Sequence, residues 1–235
     1  MGEIRYTFKR AITTPMGSSN EITPSINAEN VKDKNSFIRS DDGCLTMAEG
    51  NKVLFDYLVP EYVDDLMKVS FLCDFHHWIV EEPDEIFSYP ISKQMKIVLD
   101  QFNLYPNKFY TAKVLFEEKF YDYFVWQLFL DGFDKYVDFD NSTFCEWKYF
   151  EKIGNEVIMA KNEEELSDIS FDKNWRHFGF EKAVMKPEFK NNDCFVMPYP
   201  HGILISKRLK NALEAAKPAL TGFEITPFPV EFEYF

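Results

Sequence analysis

Cys73, His76 and His77 form the spacing that comes nearest to a metal site in this chain. Zinc sites take three or four Cys, His or carboxylate ligands, and their second pair also has a recognisable spacing. The remaining histidines, His177 and His201, supply no such pair. Because Cys73 stands among aromatic and aliphatic residues, packing in the core or a place on the surface is the favoured interpretation. We therefore predict no metal site.

The sequence also lacks a motif for nucleophilic catalysis or for phosphate binding. Cys145 or Cys194 can be paired on paper with any histidine, but no local motif connects such a pair. The chain has 9 glycines and contains neither G-x-x-x-x-G-K-[ST] nor G-x-G-x-x-G nor G-x-S-x-G. Adjacent acids are frequent because acids are abundant, and a glycosidase pair is defined by its separation in space. We predict no catalytic residue and no cofactor, and keep a hydrolase or transferase with an unrecognised active site as the alternative.

Acidic charge is concentrated in two segments. The chain has 26 Lys and Arg against 39 Asp and Glu, a net charge of −13, and residues 61–90 and 117–151 together account for it. A general nucleic-acid binder needs a basic surface, so that class is disfavoured. The simpler interpretation is a solvated surface, and the alternative is a surface that attracts a basic partner protein. On the alternative, the predicted partner-binding residues are Asp64, Asp65, Glu81, Glu82, Asp84, Glu85, Asp131 and Asp134.

Length and composition indicate one folded unit. The 235 residues are 46% hydrophobic and 28% charged, which is typical of a folded protein. With 25 Phe, 12 Tyr and 4 Trp, rings must dominate the core, and some are expected at the surface. The four cysteines lie far apart in sequence, which favours reduced thiols. No signal-peptide run follows Met1 and no apolar stretch has membrane-spanning length, so we expect a cytoplasmic protein without a membrane partner.

Two segments show the period of an amphipathic helix. Apolar residues recur at offsets 0, 4, 7, 8 and 11 in residues 91–102 and again in residues 205–216. Ser92 and Ser206 are the predicted N-caps. Asn162 with Glu165 resembles a capping box before a further short helix, and Pro60 predicts another over residues 60–68.

Aromatic and β-branched runs predict a hairpin with strands at residues 109–116 and 120–129. The predicted turn is Glu117-Glu118-Lys119. Residues 223–232 form the last extended segment, which Pro227 and Pro229 should confine to an edge or a loop. The remaining extended segments are predicted at residues 4–8, 71–80, 136–139, 143–149 and 195–197.

The two main helices also match in residues. ISKQMKIVL at residues 91–99 aligns with ISKRLKNAL at residues 205–213. Two degenerate related halves would explain the match, and chance repetition of capping chemistry is the alternative. We predict an α+β fold, with a mixed, mostly antiparallel sheet and a few amphipathic helices. It should form a single globular unit over residues 1–235, with halves at about 53–150 and 151–235 as an open alternative and a loop-rich segment at 1–52.

Several of these motifs resemble bacterial polymorphic-toxin immunity proteins. The resemblance rests on FSYPISKQMK at residues 87–96, on FNLYPNKFYTAKV at 102–114 and on the strand YDYFVW at 121–126. ILISKRLKNAL at residues 203–213, followed by TGFE at 221–224, is similar to the closing motif of related immunity families. The resemblance implies a cytoplasmic protein that binds and blocks a cognate toxin domain, and it carries over no catalytic residue.

Three functional hypotheses follow, in this order. The first is an immunity protein that neutralises its toxin by stoichiometric binding, with acidic charge facing a basic toxin surface and aromatic anchors at the interface. The second is the hydrolase or transferase with an unrecognised site, which a cleft joining a histidine to a perturbed cysteine or carboxylate would favour. The third is a binding module or oligomeric scaffold.

Overall fold

The chain has the predicted α+β fold, with mixed, mostly antiparallel sheets. The computed structural model describes residues 2–11, 25–27, 37–39, 45–47, 57–60, 72–79, 88–129, 133–148, 151–172, 177–198 and 201–235. The helices are α1 Lys93–Leu99, α2 Glu163–Asp172 and α3 Lys207–Ala215, and 3₁₀ turns lie at Phe133–Tyr136 and Pro187–Asn191. The strands are β1 Glu3–Arg10, β2 Ser25–Asn27, β3 Phe37–Arg39, β4 Leu45–Met47, β5 Val59–Pro60, β6 His77–Ile79, β7 Ser88–Ser92, β8 Asn107–Phe116, β9 Lys119–Leu128, β10 Thr143–Lys148, β11 Glu151–Lys152, β12 Phe178–Met185, β13 Cys194–Pro198, β14 His201–Ile205 and β15 Phe223–Tyr234.

The described strands form one large sheet and three small ones. The large sheet has the order β11-β10-β12-β15-β1-β14-β13. The small sheets have the orders β7-β9-β8, β5-β2-β6 and β3-β4. Parallel pairing between named strands occurs between β12 and β15 and between β2 and β6.

Both predicted main helices are present with their predicted caps. Ser92 Oγ accepts a hydrogen bond from the backbone N–H of Met95, and Ser206 Oγ accepts one from Leu209, each at 3.1 Å. Each bond satisfies an N–H group that the first helical turn leaves without a partner. The helices are shorter than the periodic patterns because the first residue of each pattern belongs to the preceding strand, β7 or β14.

The predicted hairpin is also present. β8 and β9 pair in antiparallel register up to the pair Phe116 and Lys119. The turn is therefore the two residues Glu117 and Glu118, whose φ angles are +47° and +60°. Two-residue hairpin turns of this kind require positive φ, which Asn and Gly adopt at lower cost than Glu.

The Asn162 cap before α2 is present, but the return hydrogen bond of the predicted capping box goes to the residue before the cap. Asn162 Oδ1 accepts the backbone N–H of Glu165 at 2.8 Å, and the Glu165 carboxylate accepts the N–H of Lys161 at 2.7 Å. The strands predicted at residues 4–8, 143–149 and 195–197 correspond to β1, β10 and β13.

The prediction that Pro227 and Pro229 confine the last segment to an edge or loop is wrong. β15 lies inside the large sheet, between β12 and β1. Pro227 pairs with Tyr6 beside a shift in the β1–β15 register, and pairing with β12 begins only at Phe232. The prolines thus lie where one ladder is irregular and the other has not begun, so their missing N–H groups are tolerated.

Two smaller elements differ from the prediction. Of the strand expected at residues 136–139, Tyr136 belongs to a 3₁₀ turn and Val137 makes an isolated bridge to Met185. Pro60 belongs to strand β5, and the rest of the helix predicted over residues 60–68 lies outside the described part of the chain.

The two Ser-capped helices connect strands in the same way. β7 leads into α1 and then β8, with β9 between β7 and β8 in the sheet. β14 leads into α3 and then β15, with β1 between them. The helices bury matching positions in one shared cluster, Met95 and Leu99 from α1 and Leu209 and Leu213 from α3. Each such side chain contributes about 1.5–3 kcal/mol by leaving water. A duplication behind this match stays a prediction, and the N-terminal strand β1 completes the second arrangement.

Two aspartates join the start of each helix to the chain after the other helix. Asp74 accepts the Ser92 hydroxyl at 2.5 Å and, through its other oxygen, the N–H of Thr221 beyond α3 at 2.9 Å. Asp193 accepts the Ser206 hydroxyl at 2.6 Å and the N–H of Asn103 beyond α1 at 3.0 Å. In both places the serine N–H also donates to the carbonyl of its aspartate, at 2.9 and 2.7 Å. We call these contacts the aspartate cross-links.

Arg5 anchors β1 in the same assembly. Its side chain is fully buried and donates to the carbonyl of Asn192 at 2.5 Å and to the Tyr234 hydroxyl at 2.7 Å. The guanidinium also lies 5.5 Å from the ring centroid of Phe195. Hydrogen bonds to carbonyls and packing on a ring offset part of the cost of burying this charge. The N-terminal strand is thereby tied to β15 and to the segment before β13.

We predict that Asp193→Asn lowers the free energy of unfolding by about 1–3 kcal/mol at pH 7. Burial acts to raise the pKa of Asp193, but hydrogen bonds from Arg208, Ser206 and the Asn103 backbone outweigh it and hold the pKa below its usual value. A lowered folded-state pKa stabilises the fold above the unfolded-state pKa, and this contribution is lost as the pH falls through the folded-state pKa. Urea unfolding at pH 7 and pH 3 measures it.

The matched control is Asp140→Asn, because Asp140 is an exposed turn acid whose replacement should change stability by no more than about 0.5 kcal/mol. The difference between the wild-type protein and Asp193→Asn should shrink at pH 3. An equal loss at both pH values would show that the Asp193 charge contributes nothing.

Candidate functional site

Cys73 and His76 are in contact, but through the backbone. The N–H of Cys73 donates to His76 Nε2 at 3.0 Å, so that nitrogen is already occupied. Burial lowers the pKa of His76 to about 4 and raises the pKa of Cys73 to about 11. Both side chains are neutral at pH 7, whereas a nucleophilic cysteine needs a lowered thiol pKa beside a basic partner. Among the described residues, no group of three or more His, Cys, Asp or Glu side chains is placed to hold a metal ion.

The other described thiols are Cys145 and Cys194. Both are fully buried and neither is in a disulfide. Burial raises the pKa of Cys145 to about 11 and also raises the pKa of Cys194 above its ordinary value. A buried, neutral thiol is inert as a nucleophile. The raised pKa values of both thiols do not favour the Cys–His nucleophile pairs that the sequence leaves open.

Ser92 and Asp74 pair a hydroxyl with a carboxylate, but they contact each other directly, whereas a catalytic triad has a histidine between the two groups. The same contact recurs between Ser206 and Asp193. In both cases the serine oxygen already accepts the N–H that caps its helix. Capping and the aspartate cross-links therefore account for both pairs without a catalytic role.

The acids predicted to bind a partner fall mostly outside the described residues. Asp134 is exposed in the 3₁₀ turn Phe133–Tyr136. The structure does not describe the other seven, which are Asp64, Asp65, Glu81, Glu82, Asp84, Glu85 and Asp131. Their role in binding stays a prediction.

An exposed aromatic surface lies at the turn of the β8–β9 hairpin. Phe120 is 59% exposed and pairs across the hairpin with Leu115. The ring of Tyr57 packs edge-on against Phe120, with ring centroids 5.7 Å apart. The hairpin therefore carries a small apolar surface with three exposed acids at its rim. We call it the hairpin-tip surface, made of Tyr57, Leu115, Phe120, Glu117, Glu118 and Asp122.

Helix α1 covers the rest of the same hairpin face. Side chains on one face of a strand follow a period of two, which places Phe124 and Trp126 on the face of Phe120. Trp126 is buried and stacks on Phe109. The Lys96 ammonium lies 4.6 Å from the ring centroid of Phe109 and 5.3 Å from that of Phe124. The aromatic row is thus covered near the helix and open at the turn.

Glu117 and Glu118 both adopt a positive φ in this turn, a backbone conformation that is unfavourable for glutamate. A positive φ costs an ordinary side chain about 1–2 kcal/mol, and Asn-Gly would remove most of this cost. Both side chains are exposed, so they do not recover it by packing in the described core. Backbone strain of this kind clusters at functional sites.

Sequence reasoning placed the acids of this turn in a candidate segment but did not single out Phe120. The sequence does contain a pattern that indicates an exposed ring at Phe120. An apolar ring stands directly after a two-residue turn that lacks both Asn and Gly, where an exposed hairpin end would ordinarily be polar.

In the portion of the chain that the structure covers, every helix is too short or too polar to cross a membrane. No protein-family model, no curated protein and no solved structure matches the chain.

We predict that acid destabilises the protein through His76. A histidine whose folded-state pKa is lowered stabilises the fold above its unfolded-state pKa of about 6.5, and the contribution is lost as the pH falls towards about 4. The full effect is up to about 3 kcal/mol, and about 2 kcal/mol should be lost between pH 7.5 and pH 5. Urea unfolding at these two pH values measures it.

The comparison variant is His76→Leu, which removes the titrating ring. Its stability should be lower at pH 7.5, because the Cys73 N–H loses its acceptor, but should depend less on pH between 7.5 and 5. If both proteins lose the same free energy over this range, His76 is not the group responsible.

Proposed function

We propose that this protein is an immunity protein that acts in the cytoplasm by binding a cognate bacterial toxin domain and blocking it stoichiometrically. The proposal rests on the resemblance of the Ser-capped helix and strand motifs to polymorphic-toxin immunity proteins. The observation that carries it furthest is the hairpin-tip surface, where the exposed ring of Phe120 packs against the half-buried Tyr57 beside a strained acidic turn.

The hairpin-tip surface has the chemistry of a protein contact. Aromatic side chains are enriched among the residues that dominate binding energy, and they act within a rim that excludes water. Phe120 and Tyr57 would supply the anchor, and Glu117, Glu118 and Asp122 would supply part of the rim. With a net charge of −13, the protein as a whole attracts a basic partner.

The described buried groups give the enzymatic alternative little support. A hydrolase or transferase centred on Cys73 and His76 would need a reactive thiol or a basic imidazole, and both pKa values are shifted in the opposite directions. Asp74 and Asp193, which accept the serine hydroxyls, are engaged in the aspartate cross-links. Stoichiometric binding requires none of these groups to react.

The deciding experiment is calorimetric titration of the purified protein with the toxin domain encoded beside it, at two salt concentrations. We expect 1:1 binding with a Kd in the nanomolar range or below, which weakens as salt rises because exposed charges are screened. Absence of binding would remove the proposal for that partner. Tight binding that is indifferent to salt would retain the function but assign the interface to aromatic contacts.

We predict that Phe120→Ser weakens toxin binding by about thirtyfold or more, as expected for an anchor worth at least about 2 kcal/mol. Calorimetry measures the change. The matched control is Phe235→Ser, which removes a ring that is 74% exposed elsewhere on the protein. Equal effects of the two variants would show that the hairpin-tip surface is not the contact.

We predict that Glu117→Asn/Glu118→Gly stabilises the fold and weakens toxin binding. Stability should rise by about 1–2 kcal/mol because the new residues adopt positive φ easily. Binding should slow and lose part of its salt dependence because two acids are removed. Urea unfolding and stopped-flow association measure the two effects.

The control for this pair is Glu188→Gln/Glu231→Gln, which removes the same charge from two other exposed positions. It should leave both stability and association nearly unchanged. If the turn variant gains stability and binds at the wild-type rate, the turn acids serve no binding role.

A further inference from the structure

Among the described residues, the segment that lies against β10 at one side of the large sheet has no strand on its own outer side. Ile158 and Phe144 exchange two backbone hydrogen bonds of 2.7 and 2.8 Å, which places residues 157–159 alongside β10. The opposite side of β10 pairs with β12. Within the described residues, no strand pairs with residues 157–159 on their outer side. We call residues 157–159 the outer edge segment.

The outer edge segment alternates between buried and exposed residues. Ile158 and Ala160 belong to the main core, whereas Val157 and Met159 are 56% and 65% exposed. In an antiparallel pair, a residue that exchanges both hydrogen bonds directs its N–H and C=O towards its partner, and its neighbours direct theirs away. The N–H and C=O groups of Val157 and Met159 therefore point outward, beside two exposed apolar side chains.

Described residues make backbone hydrogen bonds at the outer sides of β8, in the β7-β9-β8 sheet, and of β13, in the large sheet. Leu58 exchanges hydrogen bonds of 2.8 and 2.9 Å with Lys113 and Leu115 at the outer side of β8. At β13, the N–H of Tyr105 donates to the carbonyl of Cys194 at 2.8 Å. Proteins commonly protect a free edge with Lys or Pro, but residues 153–160 contain neither. The outer edge segment is thus an unprotected template for one more strand.

The acidic charge around the outer edge segment determines which kind of strand can pair with it. Residues 151–168 contain six acids and two bases, a net charge of −4. A second copy of this chain paired edge to edge would bring these acids together, and like charges oppose such a contact. An extended segment with alternating basic and apolar residues would complement both the charge and the exposed side chains.

We propose that the outer edge segment binds an extended, basic segment of a partner protein by β-strand addition. The partner strand would hydrogen-bond to the backbone of Val157 and Met159, and its apolar residues would cover their side chains. This site is separate from the hairpin-tip surface, and its existence does not depend on the proposed function. A toxin domain could supply the strand, which would then give that complex a second contact.

The test uses the full-length protein and a labelled eleven-residue peptide in which Lys alternates with Val, followed by fluorescence anisotropy. A control peptide of equal charge has Pro in place of the central three Val residues, so it cannot form the strand ladder. We expect saturable 1:1 binding of the first peptide and at least about tenfold weaker binding of the second, since each lost backbone bond contributes about 0.5–1.5 kcal/mol.

Two substitutions at one position separate the edge from general charge attraction. Val157→Pro removes an outward N–H while leaving both Ile158 bonds in place, and should weaken peptide binding about tenfold or more. Val157→Thr keeps the N–H and the branched shape, and should change it by no more than about twofold. If the proline variant does not fold, Met159→Lys is compared with Ile97→Lys, which adds the same charge at a 55% exposed position on α1; only Met159→Lys should weaken peptide binding strongly.

The proposal is overturned if the wild-type protein does not bind the alternating peptide, or if it binds both peptides equally. It is also overturned if the folded Val157→Pro and Met159→Lys variants bind like the wild type. Concentration-dependent dimerisation in sedimentation, lost in Val157→Pro, would assign the edge to a second copy instead. Calorimetry with the toxin domain tests the proposed function separately, so the two failures are distinguishable.

Discussion

The arrangement of the two helices depends on Asp74 and Asp193. Each carboxylate holds the capping serine of one helix with one oxygen and the backbone beyond the other helix with its second oxygen. A capping hydroxyl by itself fixes only the first turn of its own helix. Here each capping hydroxyl also donates to a carboxylate that binds the backbone beyond the other helix. This fixes the position of α1 relative to α3, and with it the shared cluster that both helices bury.

Several buried polar groups of the described residues also help to hold the elements together. Arg5 joins β1 to the segment before β13 and to β15, His76 accepts a backbone N–H, and burial keeps the described thiols neutral by raising their pKa values. Two surfaces stand out: the hairpin-tip surface combines a ring with a strained acidic turn, and the outer edge segment combines free backbone groups with apolar side chains. Both suit binding to another protein.

Local patterns predicted much of the secondary structure. The period of the helices, the serine caps, the Asn162 cap and the hairpin all depend on residues within a few positions of each other, so sequence spacing reveals them. The predicted edge position of β15 was wrong because the sheet tolerates Pro227 and Pro229 through a register shift. That shift involves β1, a strand more than 200 residues away in sequence. At the candidate site, the turn acids lay in a predicted segment, but the exposure of Phe120 depends on where α1 ends over the hairpin, which no local pattern reports.

By itself, the sequence determined the fold class, the two matching Ser-capped helices, the hairpin and the acidic charge, because these follow from periodicity, capping chemistry and composition. Only the tertiary structure decided that β1 completes the sheet between β14 and β15, that Asp74 and Asp193 link opposite helices, and that no strand in the described part of the chain pairs with the outer side of residues 157–159. The first two features join residues about 90 to more than 200 positions apart. The third depends on which other segments of the chain pack beside residues 157–159. Such contacts form when separate apolar surfaces leave water together, and their pairing is set by packing and not by neighbouring residues.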